Sequence, residues 1–178
     1  MNRMMIVGVS AGVGKSTFSA QLGNILHMNV CHLDQLLWKP GWEESSVEEF
    51  AAAQRRFMEK NNQWIIEGNY SNTYDIRVCE ADTIIYLELP LIICFYRVLK
   101  RWLTFKGKTR PDMAENCPEK IDWNFIKFIC TTYRSRKNKM YQRLNDFQNK
   151  HPDNHIYILR GKKSIRTFLS NLQQETSE

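Results

Sequence analysis

The fold is decided by Met4-Met5-Ile6-Val7-Gly8-Val9-Ser10-Ala11-Gly12-Val13-Gly14-Lys15-Ser16-Thr17, close to the amino terminus. An apolar run typical of a buried strand is followed by a glycine-rich turn, and then by Lys-Ser-Thr where a helix is predicted to begin. A strand, a glycine-rich turn and a helix in this order predict a phosphate-binding P-loop.

The chemistry of such a loop follows from its residue types. A helix start carries free N–H groups and a partial positive charge, and Gly12 and Gly14 allow the turn to point its N–H groups inward. We predict that Lys15 reaches the outer phosphates as a catalytic residue and that the Ser16 hydroxyl binds Mg²⁺. The predicted nucleotide-binding residues are Ser10, Ala11, Gly12, Val13, Gly14, Lys15, Ser16 and Thr17.

The motif departs from its usual pattern at one position. Val9 stands where the first glycine is expected, and Gly8 lies one residue too early. Because of this departure, the sequence does not determine the conformation of the first turn of the loop. The anion-binding half, from Gly12 to Thr17, is not affected. The alternative is an ordinary glycine-rich turn with a solvated lysine.

Composition favours a globular enzyme or binding protein of one domain, residues 1–178. The chain has 43% hydrophobic and 25% charged residues, which is ordinary for such a protein. Its longest apolar region, 83–96, is interrupted by Glu88 and Pro90 and is too short and too polar to span a membrane. An apolar run follows directly on residues 1–3, and the five cysteines are scattered. We therefore expect no signal peptide, no membrane partner and a cytoplasmic location.

The net charge of +6 is concentrated in two segments. Residues 97–110 contain six basic residues and no acid, and residues 127–143 contain six more, again without an acid. Such segments bind phosphates or nucleic acid, or form solvated faces.

Strand-like and helix-like segments alternate along the chain, which predicts an α/β fold with a parallel sheet covered on both faces. The predicted strands are 4–9, 29–33, 64–67, 83–89 and 155–159. The predicted helices are 15–26, 47–60, 90–105, 123–149 and 164–172, the second with a capping box at Ser46 and Glu49. Gly107 and Pro111 interrupt this order, so we predict a basic insert at about 101–122. The polar tail 173–178 is expected to be frayed.

Several sequence blocks carry a resemblance to a known family. They are HLDQLLWKPGW at 32–42, WIIEGNY at 64–70, ADTIIYL at 81–87, GKTRPDM at 107–113 and CPEK at 117–120. In this order they resemble the FlaR-type DNA topology modulation proteins. The arrangement of five strands, a P-loop and a basic insert resembles the nucleoside monophosphate kinase group, which includes adenylate, shikimate and gluconate kinases.

The resemblance implies a three-layer P-loop NTPase fold with a five-stranded parallel sheet and a lid formed by the insert. It also implies ATP and Mg²⁺ as cofactors and phosphoryl transfer to a small-molecule or nucleotide acceptor. The acceptor itself and the oligomeric state stay open.

The kinase resemblance assigns roles to two acids near strand ends. Asp34 would contact the acceptor hydroxyl as a catalytic residue, or hold Mg²⁺ through water; the alternative is that it caps a turn or helix. Glu67 would lie near the metal through water; the alternative is an ion pair with Lys15. Further predicted substrate contacts are Trp38 and Tyr70, which with Trp42 form either an acceptor wall or ordinary core.

The insert supplies candidate arginines. Arg101 and Arg110 bracket it and are predicted to be catalytic, because guanidinium groups stabilise the charge on a transferring phosphoryl group. Arg97, Arg134 and Arg136 are further candidates. Arg134 and Arg136 lie about 200° apart on an ideal helix, so only one faces the site, and we assign Arg134 to substrate binding.

Two classes of function remain. The leading hypothesis is an ATP-dependent kinase that uses Lys15, Mg²⁺ and the insert arginines. The second is a nucleic-acid-binding DNA topology modulator with a regulatory ATP site, which the basic segments favour. A polynucleotide end kinase would combine the two.

Overall fold

Seven strands and seven helices make up residues 1–176, the part of the chain that this computed structural model describes. The strands are β1 (Arg3–Gly8), β2 (Asn29–His32), β3 (Trp38–Lys39), β4 (Glu43–Glu44), β5 (Trp64–Glu67), β6 (Thr83–Glu88) and β7 (His155–Arg160). The helices are α1 (Lys15–Leu26), α2 (Leu33–Leu37), α3 (Val47–Lys60), α4 (Tyr74–Val78), α5 (Leu91–Phe105), α6 (Trp123–Lys150) and α7 (Gly161–Glu175).

The main sheet is parallel, with the strand order β2-β5-β1-β6-β7. β1 lies in its centre, and the side chains of Met4 and Ile6 have no exposed surface. A strand buried on both faces needs the near-continuous apolar run that the sequence has here. Helices cover the sheet, with α1 packed against α7 and α5 against α6. The predicted α/β class is confirmed.

Most predicted boundaries agree with the structure to within two residues. Helix α1 and strand β5 begin and end where the sequence predicts. The capping box of α3 is present, since Glu49 N donates to Ser46 Oγ and Ser46 N donates to Glu49 Oε2, both at 3.1 Å. Pro90 precedes α5 as its N-cap instead of opening it.

Other elements differ from the prediction. Helices α2 and α4, five residues each, and the two-residue strands β3 and β4 were not predicted, because elements this short carry no hydrophobic period. Helix α7 begins at Gly161 and continues to Glu175, so the predicted frayed tail is helical up to that residue. Residues 177–178 of that tail lie outside the described residues.

The long helix α6 carries apolar residues at helical spacing along one face, and Ile129, Met140, Leu144 and Phe147 of this apolar stripe are buried. Phe125 belongs to the same stripe but lines a cavity beyond the end of the sheet. The apolar stripe therefore serves the core along most of α6 and a cavity wall near its start.

None of the helices in residues 1–176 combines the length and apolar character needed to cross a bilayer.

The insert, residues 106–122, is folded back on itself and docked. Two isolated bridges, between Lys106 and Glu119 and between Thr109 and Pro118, join its two arms. It rests on the segment that follows β2. Gln35 Nε2 donates to Pro111 O at 2.7 Å, Gly41 N to Asn116 O at 3.1 Å and Trp42 Nε1 to Pro118 O at 3.1 Å.

Gly68 fixes the junction between β5 and the segment after β2. Its φ of 144° lies in a region that only glycine adopts readily. A Cβ at this position would lie 2.8 Å from Leu33 Cδ1 and 2.9 Å from Leu33 Cβ, and Leu33 is fully buried. Leu33 can therefore pack this closely against residue 68 only because glycine has no side chain.

We predict that Gly68→Ala destabilises the protein more than Gly107→Ala. Gly107 also has a positive φ, 73°, but an added Cβ there would meet nothing within 4 Å, so about 1 kcal/mol of backbone strain is expected. Gly68→Ala should cost at least about 2 kcal/mol more because of the overlap with Leu33. Urea unfolding followed by circular dichroism measures both losses, and equal losses would contradict the packing argument.

Candidate active site

A cavity of about 1630 Å³ opens where β1, β2 and β5 end. In an open parallel sheet, ligands bind outside the carboxyl ends of the strands. Most of the predicted site residues line this cavity: Ala11, Gly12, Val13, Gly14, Lys15, Ser16, Thr17, Asp34, Trp38, Glu67, Tyr70, Arg101 and Arg110. A smaller depression of about 760 Å³ is lined by residues such as Asn2, Lys60 and Asp82, and includes none of the predicted residues.

The P-loop joins β1 to α1 and leaves its amides available. Helix α1 is preceded by Gly14, so no side chain caps its first N–H groups. Gly12 has a φ of 77°, and a Cβ there would collide with the carbonyl oxygen of Cys94 on α5. The loop therefore passes too close to α5 for any other residue at that position.

Val9 fits the loop without a glycine. It is buried, and its N–H donates to Leu87 O at 3.0 Å, which continues the pairing of β1 with β6. Its φ is not positive. The first turn is instead fixed by Asn69, which accepts from Gly8 N at 2.9 Å and donates to Gly8 O at 2.6 Å. Sequence reasoning missed this role, because an amide side chain after a strand gives no signal of a partner 61 residues away.

Two cationic side chains, Lys15 and Arg97, lie at the loop. Lys15 is its lysine and lines the cavity. Arg97 donates from Nη1 to Val13 O at 2.8 Å, so it supports the loop from α5.

Ser10, which was predicted to bind nucleotide, is buried and does not line the cavity.

Glu67 joins three segments through one carboxylate oxygen. Its Oε1 accepts from Ser16 Oγ at 3.0 Å and lies 3.0 Å from His32 Nδ1. Burial by itself raises the pKa of Glu67, but the contact with His32 and the charge of Lys15 outweigh burial and hold that pKa below its ordinary value. The ion-pair partner is therefore His32, which the sequence did not indicate, and no Glu67–Lys15 ion pair forms in residues 1–176.

Asp34 lies in the first turn of α2 and does not cap it, because His32 occupies the N-cap position. Tyr70 donates its hydroxyl to Asp34 Oδ1 at 2.6 Å. Burial raises the pKa of Asp34, the hydrogen bond from Tyr70 opposes this, and the charge of Glu67 adds to it. The result is a carboxylate that accepts a proton more readily than a solvated aspartate.

Aromatic side chains form the wall beside Asp34. The rings of Trp38 and Trp42 meet edge to face with centroids 5.2 Å apart, and Tyr70 meets the buried Phe50 in the same way at 5.1 Å. Trp38, Trp42 and Tyr70 line the cavity, whereas Phe50 belongs to the core.

A buried arginine fixes the Tyr70 loop. Arg77 is 1% exposed and donates to Gln54 Oε1 at 2.7 Å, Thr73 Oγ1 at 2.9 Å and Tyr70 O at 3.0 Å. It has no carboxylate partner in residues 1–176, and burial lowers its pKa to about 10. A buried charge that binds only neutral groups is costly, yet it ties α3 to the loop that carries Tyr70.

Arg101 of α5 and Arg110 of the insert reach the cavity with carboxylate partners. Arg101 Nε donates to Glu119 Oε1 at 2.7 Å, and Arg110 Nη1 donates to Asp112 Oδ2 at 2.7 Å. Arg110 Nε lies 2.6 Å from Glu119 Oε2, close enough for an ion pair, although its N–H does not point at an acceptor. Sequence reasoning predicted the two arginines but not Asp112 and Glu119.

The structure places Arg136, and not Arg134, in the cavity. Arg134 is exposed and does not line it, because the two side chains point to nearly opposite sides of α6. Arg136 is partly buried, its guanidinium carbon lies 5.2 Å from the ring centroid of Phe128, and burial lowers its pKa. Arg136 therefore replaces Arg134 among the candidate substrate contacts.

The oxygen donors near the loop fit Mg²⁺ only in part. Ser16 and Glu67 offer a hydroxyl and a carboxylate, which are the hard ligands that Mg²⁺ prefers. Within residues 1–176, no group of three or more His, Cys, Asp or Glu side chains could hold a metal ion. A Mg²⁺ ion here would need phosphate oxygens and water as its other ligands.

The sheet order and the loop after β1 define a P-loop NTPase fold of the kinase type. Solved structures support this class. A deoxyadenosine kinase from M. mycoides with bound dATP is 15% identical over 98% of this chain and 99% of its own, with a TM-score of 0.51. A putative kinase from Chloroflexus aurantiacus is 11% identical over 98% of both chains, with a TM-score of 0.50.

A shikimate kinase from Bacteroides thetaiotaomicron is 16% identical over 99% of both chains, with a TM-score of 0.49. At these identities, the two structures with TM-scores of 0.51 and 0.50 establish the fold alone. Comparison with protein-family models gives no match, and comparison with curated proteins gives none. The resemblance to FlaR-type proteins therefore stays a prediction from the sequence.

We predict that His32 titrates above its ordinary pKa of 6.5. Burial lowers the pKa of His32, but the hydrogen bond and negative charge of Glu67 outweigh burial. Because the folded state binds this proton more tightly than the unfolded chain, the stabilisation is present below pH 6.5 and is lost as the pH rises through the folded pKa. In Glu67→Gln the negative charge of Glu67 is lost, while burial and the weaker effects of Asp112 and Asp34 remain, so the midpoint should fall below that of the wild type. NMR titration of the histidine ring measures both, and an unchanged midpoint in the variant would refute the assignment.

Proposed function

We propose that this protein is a Mg²⁺- and ATP-dependent phosphotransferase whose acceptor is a small molecule or a nucleotide. The observation that carries the proposal is one cavity that contains both a P-loop with Lys15 and the Asp34–Tyr70 pair. A phosphate donor and a hydroxyl acceptor need these two kinds of group on facing sides of one site. Two proteins of similar fold are called kinases, and one of them holds dATP.

The donor side would be formed by the loop amides, Lys15 and Arg97. The amides and the helix start favour the phosphates, and Lys15 adds a point charge at the outer ones. Beside the loop, Lys162, Ile165 and Leu169 of α7 line the same cavity. They offer an apolar and cationic wall for the base of the nucleotide.

On the acceptor side, Asp34 would take the proton of the attacking hydroxyl group. Tyr70 occupies Oδ1 of Asp34 and keeps the carboxylate in place. The raised pKa suits a group that must hold a proton at the moment of transfer. Trp38 and Trp42 would position the acceptor by apolar contact.

Mg²⁺, when bound, would neutralise charge on the phosphates, and Ser16 with Glu67 would hold it. Arg101 and Arg110 face the cavity and would stabilise negative charge on the transferring group. Arg136 would bind an anionic part of either substrate, because it is a cavity arginine without a carboxylate partner in residues 1–176.

The alternative of a DNA topology modulator gains no specific support from the structure. In the first basic segment, Arg97, Arg101 and Arg110 make contacts inside the cavity. In the second, Lys137 pairs with Glu88, and the Arg143 guanidinium lies 4.1 Å from the Tyr74 ring centroid. Much of the basic charge thus has partners within the fold.

We predict that Lys15→Ala lowers ATP turnover by at least about 100-fold, because a charge aimed at the transferring phosphoryl group is lost. Turnover is measured against a panel of nucleoside, nucleotide, sugar and hydroxy-acid acceptors. Lys150→Ala is the matched control, since this lysine is exposed in the last turn of α6. If the wild type turns over no acceptor faster than Lys15→Ala does, the proposed function is wrong.

Asp34→Asn should lower kcat by about 10²- to 10⁴-fold while the dissociation constant for ATP stays unchanged. Tyr70→Phe removes the hydrogen bond that lowers the pKa of Asp34, so the acidic limb of the kcat/KM profile should move to higher pH. A shift to lower pH, or none, would show that Asp34 is not the proton acceptor.

A further inference from the structure

A buried carboxylate in the insert has no role in the reaction steps above. Glu119 is 6% exposed, although the insert around it is mostly polar and open. Its two oxygens face two arginines: Oε1 accepts from Arg101 Nε at 2.7 Å, and Oε2 lies 2.6 Å from Arg110 Nε. Glu119 N also donates to Lys108 O at 3.0 Å, which fixes its backbone across the base of the insert.

We propose that Glu119 is a positioning residue that assembles Arg101 and Arg110 into one cationic pair before any phosphate is bound. Arg101 belongs to α5 and Arg110 to the insert, so the carboxylate joins the helix to the insert. The role of the pair in phosphoryl transfer rests on the proposed function, but the assembly of the pair does not.

Like charges make such an assembly unfavourable without an acid. Both guanidinium groups lie against one carboxylate, so their like charges repel each other, and burial together with the charge of Arg110 lowers the pKa of Arg101. Glu119 offsets the repulsion between the two guanidinium groups, and Asp112 pairs with Nη1 of Arg110. Two carboxylates therefore balance two arginines, and the insert can stay docked without a ligand.

The geometry also leaves donors for a ligand. Glu119 contacts both arginines through Nε, and the Nη groups of Arg101 donate to no acceptor within the described part of the chain. A polyphosphate entering the cavity would therefore meet guanidinium groups that are already oriented, and Arg101 would offer it a free edge.

The test is hydrogen exchange of residues 106–122, measured by mass spectrometry without substrate. In Glu119→Gln the two guanidinium groups lose their shared partner, so exchange of this segment should speed up about tenfold or more. Adding inorganic tripolyphosphate should restore slow exchange in this variant, because the polyanion replaces the missing carboxylate. The wild type should change little with tripolyphosphate.

Two further variants complete the experiment. Glu115→Gln removes an exposed acid of the same insert and should behave as the wild type. The double variant Arg101→Gln with Glu119→Gln removes one cation together with the acid, so its exchange should return towards that of the wild type without tripolyphosphate. This variant decides the question if Glu119→Gln alone does not fold.

Unchanged exchange in Glu119→Gln would overturn the proposal. Faster exchange that tripolyphosphate does not restore would also overturn it, since Glu119 would then hold the insert without acting through the arginines. So would a double variant whose exchange is about tenfold or more faster than that of the wild type. None of these readouts measures turnover, so failure of the proposed phosphotransferase activity would leave them interpretable.

Discussion

One carboxylate oxygen, Oε1 of Glu67, holds together the segments on which the site depends. It meets the Ser16 hydroxyl at the start of α1 and the His32 ring at the end of β2, each at 3.0 Å. The parallel register places His32 and Glu67 side by side at the ends of adjacent strands. Because both side chains are largely buried, removing either one would leave a buried charge or polar group that has lost its ion-pair partner, at a cost of about 3–5 kcal/mol. The phosphate loop and the acceptor side thus share one anchor.

The sequence predicted the features that are local. The P-loop combines a strand, a turn and a helix within 14 residues, and its chemistry follows from residue types at fixed spacing. Asp34 and Glu67 stand at or just after the ends of predicted strands, and the resemblance to kinases assigned their roles. The comparison with solved structures agrees with the fold inferred from these features.

What the sequence could not supply are partners far apart in the chain. Asn69 reaches Gly8 across 61 residues, and His32 reaches Glu67 across 35. Arg77 could not be distinguished from a surface arginine, because its burial results from the packing of α3, α4 and the intervening loop. In the sequence, the basic residues of 97–110 could not be distinguished from one another by their charge. In the structure, Arg97 supports the loop, Arg101 pairs with Glu119 and Arg110 pairs with Asp112.

The docking of the insert has a consequence for how its sequence can vary. Three hydrogen bonds between the insert and the segment after β2 are accepted by main-chain carbonyl groups of the insert, those of Pro111, Asn116 and Pro118. The donors are Gln35, Gly41 and Trp42, which all belong to the segment after β2. A further hydrogen bond, from the buried Cys117 Sγ to Lys39 O at 3.3 Å, needs a side chain of the insert. Exposed side chains of the insert that do not face the cavity can therefore be exchanged without losing these hydrogen bonds, provided that the backbone keeps its path. Substitutions on the exposed surface of the insert could therefore accumulate, or be introduced by design, while the insert stays docked on the segment after β2.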